Sequence, residues 1–369
     1  MKPGRTEVDN PRLRILFLAS AATTHTGRWV NAISAEGYEV HLLSLDPPQV
    51  HLDPAVRCHR SPFPPKWGYI ANAPWARKLI SDLKPDIIHA HYATGYGTLA
   101  ALAGFHPTIL SVWGSDVFDF PNQSALHRRL LKFNLARADK ILSTSHVMAV
   151  ETAKYTRKPI EVTPFGIDLE QFKPCQVDSL FDASDIVIGT VKTLEEKYGI
   201  EYLIRAFSLL KQAHPEESLK LLIVGGGSQE AYLRGLTREL GIATDTVFTG
   251  KVPHAETPRY HNMLTVSVTP SILDSESFGV AVLEACACAK PVVVSNVGGL
   301  PEVVEDGVNG FVVEPRSPEQ TADAIERLLG DQDLRERMGR AGRERVRRLY
   351  DWRASVEQMV GIYGRMLET

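Results

Sequence analysis

The sequence predicts an α/β protein of two doubly wound, Rossmann-like domains facing each other across a cleft. Three observations carry this reading. Short apolar runs rich in Val, Ile and Leu alternate with longer stretches of helical pattern, the rhythm of parallel sheets covered by helices on both faces. The runs fall into two groups of six, with a polar, turn-prone stretch between them. The 369 residues also exceed what one ordinary core organises.

Taken in order, the chain opens on a polar tail, MKPGRTEVDNPR, followed by ILFLA. That run is strand-sized and no stretch is long enough to cross a bilayer, so neither a signal peptide nor a membrane anchor is expected. The first group of strands is RILFLAS, YEVHLLSL, PDIIHAH, TILSVWG, ADKILSTS and IEVTPFG. The second is DIVIGTVK, KLLIVGG, TVFTG, VSVTPS, PVVVSN and GFVVEP. Between them DLEQFKPCQVDSLFDASD is polar and aperiodic, and it suits a linker near residues 170 to 185. Residues 1–172 then form the first domain and 173–349 the second, with the C-terminal helix from about 350 to 369 packing back on the first. Ligands of such folds bind at the carboxyl ends of the strands, which here face the cleft.

The composition, 44% hydrophobic and 23% charged with a net charge of -3, describes a globular protein and offers no argument for nucleic acid. The four cysteines, Cys58, Cys175, Cys286 and Cys288, lack zinc-like spacing with histidines and read as reduced core residues of a cytoplasmic protein.

The densest chemistry lies in ESFGVAVLEACACAKPVVVSNVGGLPEVV, where seven residues separate Glu276 from Glu284. VSVTPS is a strand, SILDSES a polar loop and FGVAVLEACACA a helix that begins at a strand's carboxyl end. Amides exposed at a helix start attract anions, so a phosphate near Phe278, Gly279 and Val280 is physically sensible. Gly279 would let it approach closely. At about 1.5 Å rise per residue the two carboxylates are on the order of 10 Å apart, too far to share a proton. They suit hydroxyls at opposite ends of one ligand with an anionic middle, which is the layout of a nucleotide sugar. The competing reading makes Glu284 a helix-surface residue and Glu276 a solvated loop acid.

The string from Glu276 to Val313 resembles the donor-binding signature of family 4 of the retaining glycosyltransferases, which have the two-domain GT-B fold. The likeness covers nearly the whole chain and is strongest over residues 185 to 350. It implies that Glu276 holds the donor sugar's hydroxyls and Glu284 the ribose. Phe278, Gly279 and Val280 would offer backbone N–H groups to sugar and phosphate, with Ser277 beside them in the donor site. PFGIDLEQFKP, residues 164 to 174, resembles the family's interdomain segment. LIVGGG followed by FTGKVP, which contains Val252, resembles the strands flanking its base pocket.

The family carries an Arg and a Lys five residues apart after the first strand of the second domain, where they neutralise the diphosphate. GTVKTLEEKYG has Lys192 and Lys197 at that spacing. Lysine supplies the charge without the planar fork; outside this context two loop lysines are commonly just solvated charge. In the first domain the family's strand ends in a segment like His-Gly-Ser/Thr-Asp, whose His lies near the reacting sugar. SVWGSDVFDF has Trp113 there and retains Asp116. Trp113 is expected to shape the acceptor pocket and Asp116 to orient the acceptor hydroxyl. The alternative makes Trp113 a core residue and Asp116 a turn cap. In ATTHTG, Gly27 suits a close backbone approach to the donor, and His25 is either an acceptor contact or a satisfied loop histidine. His89 and His91 in IIHAHYATG are expected to include at least one buried structural histidine.

No metal and no cofactor are expected, because the one Asp-x-Asp triplet, Asp331-Gln332-Asp333, reads as a helix start. GGGS, residues 225 to 228, lacks the full dinucleotide spacing and reads as a tight turn. SALHRRLLKFNLAR, residues 124 to 137, sets Leu126, Leu130 and Phe133 at helical spacing among His127, Arg128, Arg129, Lys132 and Arg137. It is either a half-buried helix with solvated arginines or a peripheral contact with an anionic membrane. The expected activity is metal-independent, retaining transfer of a hexose from a nucleotide diphosphate sugar, a UDP-sugar, to a glycan or lipid-linked acceptor in surface polysaccharide synthesis, on the cytoplasmic side of the membrane. A nucleotide-sugar-binding protein without transfer activity is the alternative, and an NAD-dependent oxidoreductase is disfavoured for want of a fingerprint.

Overall fold

The structure is a computed structural model that describes residues 13–368, so the polar tail predicted at the start lies outside the described residues. Among the described residues thirteen strands form two all-parallel sheets. The first contains β1 (Arg14–Leu18), β2 (Glu39–Ser44), β3 (Arg57–Arg60), β4 (Ile87–His91), β5 (Thr108–Val112), β6 (Lys140–Ser143) and β7 (Ile160–Val162), in the order β3-β2-β1-β4-β5-β6-β7. The second contains β8 (Ile186–Val191), β9 (Leu219–Val224), β10 (Thr246–Gly250), β11 (Val266–Thr269), β12 (Val292–Ser295) and β13 (Gly310–Val313), in the order β10-β9-β8-β11-β12-β13.

Eleven of the twelve predicted apolar runs contain one of these strands, and KLLIVGG covers all of β9 but Leu219. The thirteenth, β3, reads RCHR and is mostly exposed, because it is an edge strand paired only with β2. An edge strand of polar residues buries no continuous apolar face, so no hydrophobic run announces it.

Alternation along the strands sorts the second unit's core into two layers. Ile188, Leu219, Leu221 and Ile223 join one buried cluster with Leu203 and Phe207 of the helix Ile200–Ala213 and Ile325 of the helix Pro318–Leu329. Val187, Leu222 and Val224 join the other, with Tyr260, Met263 and Leu264. Helices therefore cover both faces, as a doubly wound sheet requires.

By compactness the described chain divides into one unit of residues 13–143, 149–163 and 356–368 and another of 144–148 and 164–355. The stretch proposed as a linker has no helix or strand between β7 and β8, but it belongs to the second unit. Phe172 is buried there against the rings of His254 and His261, and Asn262 binds both the Lys173 carbonyl and the Cys175 amide. The end of the C-terminal helix Trp352–Leu367 packs in the first unit. Tyr363 is fully buried and its hydroxyl pairs with His89 Nδ1 at 2.8 Å, while Gln358 donates to the Val162 carbonyl. Of the four cysteines, all free, Cys286 and Cys288 are buried and Cys58 and Cys175 are exposed, so the expectation of four core residues holds for two.

Each sheet has one point where consecutive crossovers turn opposite ways. After β1 the chain moves to β2 on one side, and after β4 to β5 on the other, so the loops beyond the carboxyl ends of β1 and β4 part. The same holds for β8 and β11 in the second sheet.

Candidate active site

In the second unit the switch point holds a charged cluster. Lys192 is the residue after β8, and its Nζ lies 2.7 Å from Oε2 of Glu276, which follows β11. Their side chains are only 13% and 8% exposed. Burial pushes the Lys192 ammonium down, but the neighbouring Glu276, Tyr198 and Glu284 outweigh it and hold the pKa above its ordinary value. Lys192 is therefore a cation at every physiological pH. Lys197 lies in the single turn Glu196–Tyr198, and both lysines lie against the ring of Tyr198: Lys192 Nζ is 4.3 Å and Lys197 Nζ 4.9 Å from its centroid. An aromatic face attracts both ammonium groups and limits where they can go.

The backbone after Glu276 leads into the helix Val280–Ala287. Gly279 caps it at φ +85°, a left-handed conformation that favours glycine, and an added Cβ would lie 2.6 Å from Leu300 Cδ2. The glycine is thus demanded by the turn and by Leu300. Phe278 is 3% exposed, and its ring packs edge-on against Phe165 and Tyr350. Ser277 is 9% exposed, and the carbonyl of Glu276 accepts from Gly299 N at 2.9 Å, tying the loop to the segment after β12. Val280 opens the helix, whose first amides have no carbonyl one turn back within it.

Glu284 is buried, not a helix-surface acid. Burial alone would raise its pKa, but N–H groups of two imidazoles, His254 Nε2 at 2.8 Å and His261 Nε2 at 3.3 Å, bring it down to about 2. Both carboxylate oxygens thus have a partner before any ligand binds. Val252 follows β10 and packs, half-buried, on the cluster that includes Val187 and Val224. Residues 225–228 form the turn predicted for them, with Ser228 bonded to Glu195 through its amide at 3.0 Å and its hydroxyl at 2.5 Å. Asp331 caps the helix Gln332–Leu349, accepting from Leu334 N at 2.8 Å, as its place in the sequence predicts. Among the described residues no three His, Cys, Asp or Glu side chains are arranged to hold a metal ion.

In the first unit the switch point is aromatic. His91 ends β4, Trp113 follows β5, and their ring centroids are 4.5 Å apart. His25, in the first turn of the helix Thr24–Ala35, meets Trp113 edge-on at 6.1 Å. His25 and Trp113 are therefore brought together as a pair. Burial drives the His91 pKa well below its ordinary value, so this imidazole is neutral. His89 is the buried structural histidine: it holds Tyr363 through Nδ1 and Ser111 Oγ through Nε2 at 2.7 Å.

Two further residues named from the sequence are packed within this unit. Asp116 is fully buried, and its carboxylate accepts from the amides of Ala93 at 2.7 Å, Gly114 at 2.8 Å and Trp113 at 3.2 Å. It ties the loop after β5 to the loop after β4 and holds the backbone of Trp113. Burial raises its pKa, opposed by those same amides. Gly27 is also buried, and an added Cβ would meet Val50 Cγ2 at 2.8 Å. The segment at Val50 therefore leaves no room for a side chain at this position.

Sequence reasoning did not single out Tyr198, His254 or His261. Tyr198 stands beside Lys197 in the quoted motif, and the two histidines lie seven residues apart before β11. Nothing local marks either histidine as a partner of Glu284.

Residues 175–345 match the glycosyl transferases group 1 family and residues 14–145 the glycosyl transferase 4-like family. The chain is 30% identical over 304 residues to a D-inositol 3-phosphate glycosyltransferase of Corynebacterium jeikeium, covering 75% of this chain and 72% of that protein. It spans 42% to 56% of the length of seven further curated relatives. Among solved structures, sucrose-phosphate synthase from Thermosynechococcus elongatus superposes with a TM-score of 0.82 at 22% identity, over 97% of this chain and 100% of that one. Anabaena Alr3699/HepE, in complex with UDP and glucose, superposes with a TM-score of 0.79 at 20% identity, over 96% and 100%. These likenesses identify the fold as GT-B.

Proposed function

Because the chain belongs to the glycosyl transferases group 1 family, we propose that it transfers a hexose, with retention of configuration and without a metal ion, from a UDP-sugar to a glycan or lipid-linked acceptor. The observation that carries the proposal is the cluster of Lys192, Lys197, Tyr198 and Glu276 at the switch point of the second sheet. Two ammonium groups and a helix start supply positive potential for a diphosphate. Glu276 accepts from sugar hydroxyls, and Glu284 from the ribose through the lone pairs its imidazoles leave unused. UDP is favoured because a protein of the same fold, Anabaena HepE, binds UDP and glucose.

In the proposed reaction the bond from the anomeric carbon to the β-phosphate oxygen breaks as the acceptor oxygen bonds to the same face. The acceptor's proton passes to the departing phosphate oxygen, so no side-chain base is needed where Trp113 replaces histidine. Neutral His91, Trp113 and His25 form the wall against which the acceptor is oriented, and Asp116 holds that wall in place. Orientation and charge stabilisation of the leaving diphosphate then supply the acceleration.

The replacement of histidine by Trp113 favours a second reading, donor binding without transfer. A thermal-shift screen over UDP-, GDP- and ADP-sugars, followed by assay of the stabilising sugar for release of its nucleotide diphosphate in excess chelator, tests both. The proposal expects a UDP-sugar to stabilise the fold and to be turned over. Stabilisation without release selects the second reading, and release only on adding manganese or magnesium contradicts the metal-independent account.

A further inference from the structure

In the second unit three separate elements converge on Glu284. His254 lies in the single turn His254–Glu256 and His261 in the helix Thr257–Met263, while Glu284 belongs to the helix Val280–Ala287. His254 Nε2 meets Oε1 and His261 Nε2 meets Oε2, one imidazole to each carboxylate oxygen. Both rings are themselves held. Phe172 packs against the two of them, with centroids 5.6 Å and 6.2 Å away, and Thr257 Oγ1 donates to the His254 carbonyl at 2.8 Å.

The hydrogen positions follow from these surroundings. A carboxylate with a pKa of about 2 only accepts, so the facing nitrogen of each imidazole carries a hydrogen. The other nitrogen of His261, Nδ1, is buried with no partner, and an orphaned lone pair is tolerated there better than an orphaned N–H. His261 is thus fixed as a donor at Nε2. His254 differs in being reachable: its side chain is 36% exposed and that of His261 1%.

Such a clamp does two things to a carboxylate. It selects one rotamer before a ligand arrives, so binding has less side-chain freedom to remove. It also occupies a lone pair on each oxygen and leaves the other for hydroxyls. An unclamped glutamate can pivot to follow a hydroxyl, whereas a clamped one accepts only from hydroxyls placed away from the imidazoles.

We infer that His254 is a positioning residue which, with His261 as the fixed side of the clamp, acts through Glu284 to make nucleotide binding depend on the ribose hydroxyls. The inference rests on the transferase reading and deepens it, because the clamp sets how strictly a ribonucleotide is told from a deoxyribonucleotide. It does not require either imidazole to touch the ligand.

The test is isothermal titration of the full chain with UDP, GDP and ADP, each beside its 2′,3′-dideoxy form, on wild type, His254→Phe and His254→Gln. Hydrogen bonds to a charged group are at stake, so wild type should bind the ribo form of its preferred nucleotide at least about tenfold more tightly than the dideoxy form. Phenylalanine keeps a ring against Phe172 but has no N–H, and His254→Phe should shrink that ratio by about fivefold or more. The amide nitrogen of glutamine lies as many bonds from Cα as Nε2 of histidine, so His254→Gln should hold the ratio within about twofold of wild type. In a Glu284→Gln background, His254→Phe should change the ratio no further. If His254 merely supports the fold, His254→Phe weakens both forms alike, and an unchanged ratio in that variant would overturn the inference. So would equal losses in His254→Phe and His254→Gln, or a further loss once Glu284 is replaced. A wild type that binds the ribo and dideoxy forms equally would remove Glu284 from the ribose and the inference with it. A wild type that binds none of the three nucleotides would overturn the donor reading itself, a result distinct from all of these.

Discussion

Glu284 illustrates how one carboxylate links stability to pH. Its pKa falls from an ordinary 4.5 to about 2 because the bonds from His254 and His261 outweigh burial. A group whose folded pKa is depressed stabilises the fold above its unfolded pKa, and that stabilisation is lost as pH falls through the window between the two values. Here the window runs from about 4.5 down to about 2, and the contribution at neutral pH is at most about 3 kcal/mol. Urea midpoints of wild type and Glu284→Gln should therefore differ most near pH 7 and converge as pH drops toward 3. A gap that stays constant with pH would mean the carboxylate's charge is not what the imidazoles hold. Tyr198 offers a second residue-scale test. Each ammonium near its ring contributes about 0.5–1 kcal/mol, so Tyr198→Leu should weaken nucleotide diphosphate binding by up to roughly 5- to 30-fold. Tyr198→Phe, which keeps the face, should leave it unchanged. Equal losses in the two variants would assign the effect to the hydroxyl instead.

At the scale of elements, the helix Val280–Ala287 depends on its cap. Gly279→Ala places a side chain at φ +85° and against Leu300, which should cost about 1–3 kcal/mol of stability, read as a lower melting temperature. Donor affinity should fall further than that loss explains, because the helix start moves. Donor affinity unchanged in a folded Gly279→Ala protein would separate this helix from the diphosphate. The same scale shows where sequence was informative. Buried parallel strands need apolar residues on both faces, so runs such as IVIGTV and LKLLIV announced themselves, whereas β3 did not. Periodicity revealed the helix Ala125–Arg137, yet Leu126/Leu130/Phe133 and Leu131/Leu135 are both helical stripes. Only the neighbouring helices decide which is buried. The lysines and glutamates were legible as motifs. Their pairing was not, because Lys192 meets Glu276 only when β8 and β11 lie side by side. The packing of Asp116 and Gly27 was illegible for a related reason: the neighbours they meet, Ala93 and Val50, lie on other loops.

For the molecule as a whole, the central claim is that the second unit's charged cluster positions a nucleotide diphosphate sugar for retaining transfer without a metal ion. The most direct measurement is proton NMR of the protein incubated with the selected UDP-sugar and an acceptor amphiphile in excess chelator, following the anomeric proton of donor and first product. The account predicts release of UDP with a product anomer of the donor's configuration. It also predicts that Glu276→Gln slows consumption by at least about 100-fold, as expected when a group acting on the transition state is lost, while the variant still folds. A product of inverted configuration, or wild-type consumption by the folded Glu276→Gln variant, would contradict it.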